Sequence, residues 1–384
     1  MELFDVYPRF PVTPVRGSGA LVYDDAGTEY LDFYGGHAVI SIGHAHPRFV
    51  AAIAEQAAEL PFYSNSIISP LAERLATRLG ELSGYPDYRL FLCNSGAEAI
   101  ENGLKLASWQ SGGDRVIAFD GAFHGRTSLA VAATDNSKLR APVNDVHNVV
   151  HLPINDIAAF KRTIADGAKT AAVLIEGIQG ISGIIEPSIP FLQEVAEICR
   201  ARTIPLLLDE IQSGYGRSGT FFAHEVAGIR PDLITVAKGM GNGFPIGGLL
   251  IAPHFAARHG MLGTTFGGNH LACAAGLAVL DVIADEGLLA NAERVGSYLR
   301  ERLAELPGIV AVRGRGLMIG FDLKGKAAPV RAHLLHEKRV FTGSSANPST
   351  LRLLPPLSIT QADADRFLTV LAESLNEVDR TEIT

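Results

Sequence analysis

A chain of 384 residues, 47% of them hydrophobic and 19% charged, has material for a large core, and its length fits two or three domains. The formal net charge of −8, with no basic stripe, argues against nucleic acid as a partner. No run reaches the roughly 18 unbroken apolar residues of a membrane span, and Met1–Phe10 carries Glu2, Asp5 and Arg9 without the apolar core of a signal peptide, so a cytoplasmic protein with no membrane partner is expected.

In chain order, Ala20–Tyr23, the turn Asp24-Asp25-Ala26-Gly27 and Glu29–Phe33 predict a hairpin. Arg48–Glu59 and Ser69–Leu82 read as amphipathic helices, with Pro70 suited to a first helical turn. The middle of the chain alternates short apolar runs with helices. The runs are Tyr88–Cys93, Arg115–Phe119, Ala171–Ile175, Leu206–Leu208, Leu233–Val236 and Gly248–Ile251; the helices include Ala97–Gln110 and Ile189–Arg202. Such alternation predicts an α/β protein with a mostly parallel sheet between helices. Beyond about residue 270 a long helical stretch, a strand at Arg313–Leu323 and a helix near Gln361–Asn376 predict a smaller α+β domain. The expected division is an N-terminal segment, 1–46, contributing to the small domain, a large domain, 47–268, and a C-terminal small domain, 269–384. The three cysteines, Cys93, Cys199 and Cys273, lie in apolar runs without paired spacing and read as buried free thiols.

Ligands of open parallel sheets bind beyond the carboxyl ends of the strands. Glu176 follows one apolar run, Asp209 (with Glu210 after it) another, and Lys238 a third, so the acids Glu176 and Asp209 and a lysine converge. Loops are polar in any case, and one charged residue at a strand end says little. Three together, one of them a lysine beside a rigid strand end where it can lose its proton, point to a nucleophile. Within Asn94-Ser95-Gly96-Ala97-Glu98, Ser95 and Glu98 fit a helix capping box, and equally Ser95, Gly96 and Ala97 fit a phosphate cup at a helix N-terminus. A second hydroxyl–glycine cluster, Gly263–Asn269, offers further phosphate contacts.

Other signals lead nowhere. The glycines around Gly314 and Gly316, and those after Lys238, lack dinucleotide-binding spacing, which argues against a nicotinamide-dependent oxidoreductase. His44 and His46 have no further ligand at zinc-like spacing, so no metal site is expected.

Taken together, Asn94-Ser95-Gly96-Ala97-Glu98-Ala99, Phe123-His124-Gly125-Arg126-Thr127, the block Leu208–Gly219 with Asp209-Glu210-Ile211-Gln212, Ala237-Lys238-Gly239 and Thr265-Phe266-Gly267-Gly268-Asn269 resemble a class III (ω-) aminotransferase of fold type I, and within that family the acetylornithine aminotransferase group. The similarity extends from Gly35-Gly36-His37-Ala38-Val39 to Arg313-Gly314-Arg315-Gly316-Leu317. It implies a fold type I α/β transferase, with a seven-stranded type of sheet and a smaller α+β domain, that binds pyridoxal 5'-phosphate (PLP). Lys238 is then the lysine that holds the cofactor covalently and later shuttles a proton. Asp209 is the partner of the pyridine nitrogen. Phe123, with His124 beside it, and Ile211 flank the ring. Gln212 lies near the phenolic oxygen with Glu176 behind it, and Ser95, Gly96 and Ala97 form the phosphate cup. Thr265 reaches the phosphate of a neighbouring subunit, which implies a homodimer.

The same resemblance makes Arg126 the α-carboxylate ligand of an ornithine-type donor and Arg352 that of glutamate or 2-oxoglutarate. Arginine suits both tasks through its planar fork. The implied reaction moves the terminal amino group of N2-acetyl- or N2-succinyl-L-ornithine to 2-oxoglutarate, a step of arginine biosynthesis. Ornithine, 4-aminobutyrate, succinyl-diaminopimelate or lysine-pathway donors are the alternatives. One departure stands out. Ornithine-type members carry Glu-Pro-x-Gln-Gly-Glu where this chain has Glu176-Gly177-Ile178-Gln179-Gly180-Ile181, so Ile181 replaces the glutamate that quiets the Arg352-type arginine. An unpaired Arg352 is then expected to tolerate or recruit an extra donor carboxylate, as in N2-succinyl-ornithine.

Overall fold

The computed structural model describes residues 1–382, with side chains described as far as residue 378. The N-terminal strands β1 (Pro14–Ser18), β2 (Leu21–Asp24) and β3 (Glu29–Asp32) are joined antiparallel, with the expected hairpin between β2 and β3. After β3 comes a single turn, α1 (Gly35–Ala38), in which Gly35, Gly36, His37 and Ala38 all have positive φ. Two of those residues are not glycine, so this left-handed turn is strained and must be held from outside. Helices α2 (Pro47–Glu59) and α3 (Pro70–Ser83) follow. Ser69 caps α3 by accepting from the Ala72 amide, Pro70 fills its first turn, and Gly84 ends it in a left-handed conformation.

The central sheet takes β4 (Arg89–Cys93), β5 (Arg115–Phe119), β6 (Val149–Leu152), β7 (Thr170–Glu176), β8 (Leu206–Asp209), β9 (Leu233–Val236) and β10 (Gly247–Ile251) in the order β4-β10-β9-β8-β7-β5-β6. It is seven-stranded and mostly parallel, as expected; β10 alone runs against both its neighbours. The edge strand β6 was not expected: Val149-Val150-His151-Leu152 is a four-residue, half-buried apolar run, too short to stand out by itself. Helices α4 (Gly96–Ser111), α5 (Ser128–Ala133), α6 (Ile157–Ala165) and α7 (Ile189–Arg202) connect these strands. Every residue of β7 and β8 is buried, which is why they read as unbroken apolar runs.

The C-terminal part begins with α8 (His270–Asp285) and α9 (Leu288–Ala304). Helix α8 packs against α2, α3 and α9 and is buried on nearly all sides. At Gly276 an added Cβ would lie 3.1 Å from Leu75 of α3, so the two helices meet through glycine. Leu75 and Leu79 are fully buried there, each stabilising the fold by about 2 kcal/mol. The single strand expected at Arg313–Leu323 is instead a hairpin, β11 (Ile309–Arg315) and β12 (Met318–Leu323). Its tight turn needs Gly316, at φ 52°, whose hydrogen faces the Gly219 amide with no room for a side chain.

Next come α10 (Ala327–His336), β13 (Val340–Phe341), β14 (Gly343–Ser344), β15 (Thr350–Leu353) and α11 (Gln361–Glu382). β13 joins the N-terminal sheet through β3; β14 and β15 join β11 and β12 in an antiparallel sheet. The three cysteines are free and buried, and burial pushes the Cys93 and Cys273 thiols up to about 12. No helix among the described residues is long and apolar enough to cross a membrane.

Candidate active site

Strands β7, β8 and β9 end side by side. Glu176 pairs in register with Asp209, and Asp209 with Thr235, three residues before Lys238. The two acids and the lysine therefore open into one cavity of about 570 Å³. Ser95, Gly96, Ala97, Phe123, His124, Arg126, Ile211 and Gln212 line it too. Two clefts of about 660 and 670 Å³ elsewhere contain none of these residues.

Asp209 is buried and fully engaged: its Oδ1 accepts from the Ile211 amide at 3.0 Å, and its Oδ2 lies 2.7 Å from His124 Nδ1. His124 Nε2 is buried without a partner. Glu176 accepts from the Phe123 amide at 3.0 Å and the Gly180 amide at 3.1 Å. Burial pushes its carboxyl up to about 7, and the charge of Asp209 adds to the rise against the opposing pull of His124. Lys238 holds a positive φ of 46°. Burial pushes its ammonium below the usual lysine range, with Arg352 adding to the fall while Asp209 and Glu176 oppose it.

At the other end of the cavity, α4 presents its N-terminus. Ser95 Oγ accepts from the Glu98 amide at 3.2 Å, as a cap should. The reciprocal half of the expected capping box is displaced by one residue. The Glu98 carboxylate accepts from the Asn94 amide at 2.8 Å, and from the Asn94 and Ser95 side chains, instead of from the Ser95 amide. The Gly96 and Ala97 amides, first and second in the helix, have no acceptor within it and are available to an anion. Gly96 is required by packing: a Cβ there would lie 2.8 Å from Ile211 Cδ1. At Gly180 a Cβ would collide with the end of the Gln212 side chain, so a larger residue there would displace Gln212. Gln212 Nε2 donates to the His37 carbonyl at 3.2 Å, which helps to hold the left-handed turn.

The two arginines differ. Arg126 is exposed at the cavity edge, with no hydrogen bond or ion pair among the described residues. Arg352, on β15, is one layer behind the wall and buried; its Nε donates to the Ser344 carbonyl at 2.6 Å. Its Nη1 is buried without a partner among the described residues, 3.5 Å from where a Gly180 Cβ would stand, and the adjacent Ile181 lines the cavity. Thr265 is exposed outside the cavity, in a loop that Asn94 and Asn65 hold through Thr264.

Sequence reasoning did not single out Tyr7, Val39 and Phe244, which also line the cavity, or His37 as a cavity residue. His37 is hydrogen-bonded to Tyr34 Oη, and burial, followed by the charges of Lys238, Arg352, Arg331 and Arg126, depresses its pKa. The His44 and His46 rings are bound to Asp32 and Glu286, and no group of His, Cys, Asp or Glu among the described residues could hold a metal.

These features fit PLP: one cavity brings together amides and a hydroxyl for a phosphate, a buried carboxylate fixed by an imidazole, and a lysine of depressed pKa. The class-III aminotransferase family model matches residues 5–375. Acetylornithine aminotransferase 1 of Bordetella bronchiseptica is 40% identical, over 98% of each chain. The acetylornithine aminotransferase of Methanothermobacter thermautotrophicus is 39% identical over 98% of this chain and 97% of its own. The ornithine aminotransferase of Toxoplasma gondii superposes with a TM-score of 0.91 at 29% identity, covering 100% of this chain and 94% of its own. The acetylornithine aminotransferase of Elizabethkingia anophelis superposes with a TM-score of 0.84 at 27% identity, covering 97% and 96%. On its sequence, its fold and the arrangement of this cavity, the chain belongs to the class-III aminotransferases.

Proposed function

We propose that this protein is a PLP-dependent aminotransferase that moves the terminal amino group of N2-acetyl-L-ornithine, or N2-succinyl-L-ornithine, to 2-oxoglutarate, giving the N-acyl glutamate semialdehyde and L-glutamate. The observation that carries the reading is the convergence of Lys238, Asp209 and Glu176 on one cavity, with Arg126 at its edge and Arg352 behind its wall, neither arginine having an acidic partner among the described residues. Bound PLP supplies an aldehyde that carries the amino group and a ring that takes up an electron pair. Lys238 Nζ, below the usual lysine pKa, takes the proton from the amine-bearing carbon and later returns one. Asp209, fixed by His124 and the Ile211 amide, keeps a negative charge against the cofactor's pyridine nitrogen and so keeps that nitrogen protonated. Arg126 orients the donor carboxylate and Arg352 that of the keto acid, and Ser95, Gly96 and Ala97 hold the phosphate.

The protein acts in this reading as a cytoplasmic homodimer in arginine biosynthesis, with Thr265 reaching the phosphate of the partner's cofactor. In support, Thr265 is exposed next to an apolar patch of Phe62, Tyr63, Ile67, Ile68 and Phe266. Sedimentation of the purified protein tests the dimer.

The visible spectrum tests the chemistry. A yellow protein that bleaches with N2-acetyl-L-ornithine and recovers with 2-oxoglutarate is expected. A yellow band indifferent to acetyl-ornithine moves the donor to N2-succinyl-ornithine or another ω-amine. A colourless protein that PLP does not reconstitute overturns the assignment.

A further inference from the structure

Arg217 lies in the loop after β8 and is only 2% exposed. It has no ion pair among the described residues; its guanidinium is spent on main-chain carbonyls. Nη1 donates to Leu317 at 3.2 Å and to Pro355, and Nη2 makes a long bond to Ile40 at 3.5 Å. Burial lowers its pKa to about 9, and Asp32 is the acid whose charge opposes this. The Asp32 carboxylate is itself occupied by the Tyr34 and Gly35 amides and by His44. A buried cation without a counter-ion is expensive and needs a reason.

The reason lies in what the three carbonyls belong to. Ile40 directly follows the His37–Val39 stretch of the cavity wall. Pro355 lies three residues after Arg352. Leu317 is the turn between β11 and β12, and β12 carries Gly320, the register partner of Arg352. Main-chain bonds reinforce the junction: the Leu317 amide donates to the Arg217 carbonyl at 2.9 Å, the Leu354 amide to Phe33 at 2.8 Å and the Leu357 amide to Ser41 at 2.7 Å. The Lys238 side is tied to the same place, since Asn242 Oδ1 accepts from the Ser41 and Ile42 amides and Ser41 Oγ donates to the Gly239 carbonyl.

We infer that Arg217 is a positioning residue for carboxylate recognition: it docks the strand that carries Arg352, and the turn that carries His37, at a fixed distance from Lys238. It touches neither substrate nor cofactor. Its loss lets the Arg352 strand drift by fractions of an ångström, which weakens paired bonds to a carboxylate far more than it weakens cofactor capture. The inference rests on the proposed reading of Arg352 as the keto-acid ligand.

The two half-reactions, followed separately by the visible band of the PLP-loaded enzyme, test it. In Arg217→Gln the band forms, and bleaching by N2-acetyl-L-ornithine, whose carboxylate is assigned to Arg126, stays within about 3-fold of wild type. Recovery of the band requires at least 10-fold more 2-oxoglutarate, as a KM effect with kcat changed less. Arg217→Lys, which keeps the charge but reaches fewer carbonyls, falls between the two and serves alone if the Gln variant does not fold. In an Arg352→Met background either change adds less than 2-fold to the 2-oxoglutarate requirement. Equal loss in both half-reactions, or additive effects with Arg352→Met, overturns the inference while the aminotransferase reading stands. A wild-type enzyme indifferent to 2-oxoglutarate removes the acceptor reading and this inference with it.

Discussion

Glu176 and Asp209 face each other in register on adjacent parallel strands, and His124 closes on only one of them. Asp209 has an imidazole and an amide on its two oxygens; Glu176 has two amides and a carboxyl pushed up to about 7. Two neighbouring acids at one site are thus set apart by their partners: one held by an imidazole and an amide, the other buried on two amides and able to carry a proton near neutrality.

The first prediction follows from Glu176. Its folded pKa is raised, chiefly by burial, so between about pH 4.5 and 7 the native state holds a proton that the unfolded state has lost. Stability therefore falls as pH rises through that window, by at most about 3 kcal/mol. Urea unfolding of the cofactor-free protein at pH 5 and pH 7.5 measures it. Glu176→Gln, which does not titrate, is expected to lose most of this slope whatever constant cost it adds. An unchanged slope would show that Glu176 titrates normally.

Removing the imidazole-held acid is the second. Asp209→Asn keeps the shape and an acceptor for the Ile211 amide, so the fold and PLP binding should survive. Turnover should fall at least roughly 100-fold, the scale on which a positioned charge or proton group acts. Steady-state kinetics beside a thermal melt decide this; a variant with near-normal turnover would remove Asp209 from the chemistry.

How much of this was visible beforehand depends on whether local sequence or distant packing set each feature. Glu176, Asp209 and Lys238 stood out because apolar runs stop abruptly at charged residues and strand ends converge. The β11–β12 hairpin was hidden because its turn, Gly316-Leu317 between Arg315 and Met318, carries none of the Asn-Gly or Asp-Gly pairs that mark a hairpin in sequence. Tyr7 and Val39 reach the cavity because the N-terminal segment folds back some 200 residues later in the chain, through bonds such as Asn242 to Ser41, and no local pattern records that. Arg352 was legible as a family arginine, but its burial against Gly180 was not.

Gly96 supports a third prediction. In Gly96→Ala the new Cβ meets Ile211 Cδ1 at 2.8 Å and Cγ2 at 3.0 Å, so either Ile211 or the helix start must move. Overpacking of this kind costs about 1–3 kcal/mol. PLP affinity should drop roughly 10-fold as the amides shift. Trimming the closest atom with Ile211→Val in the same chain should recover part of both losses. Calorimetric titration of the cofactor-free proteins with PLP measures it, and strict additivity of the two substitutions would show that they do not touch.

The last prediction concerns Ile181. Arg352 Nη1 is buried with no partner, and burial lowers the pKa of its guanidinium. Ile181, next to Gly180 on the cavity wall, offers it no charge. A donor that carries an additional carboxylate, such as N2-succinyl-ornithine, is expected to meet that charge better than the acetyl donor does. Ile181→Glu would supply an acid in the wall itself, pairing with Arg352 and repelling the extra carboxylate. The expected result is a loss in kcat/KM at least roughly tenfold greater for the succinyl than for the acetyl donor, equivalent to about 1.4 kcal/mol. A competing consequence can be measured in the same series: the paired arginine should also bind 2-oxoglutarate less readily, so its KM rises with either donor. Equal losses for the two donors would mean that the unpaired arginine has no part in donor choice, and that Ile181 is only an apolar wall.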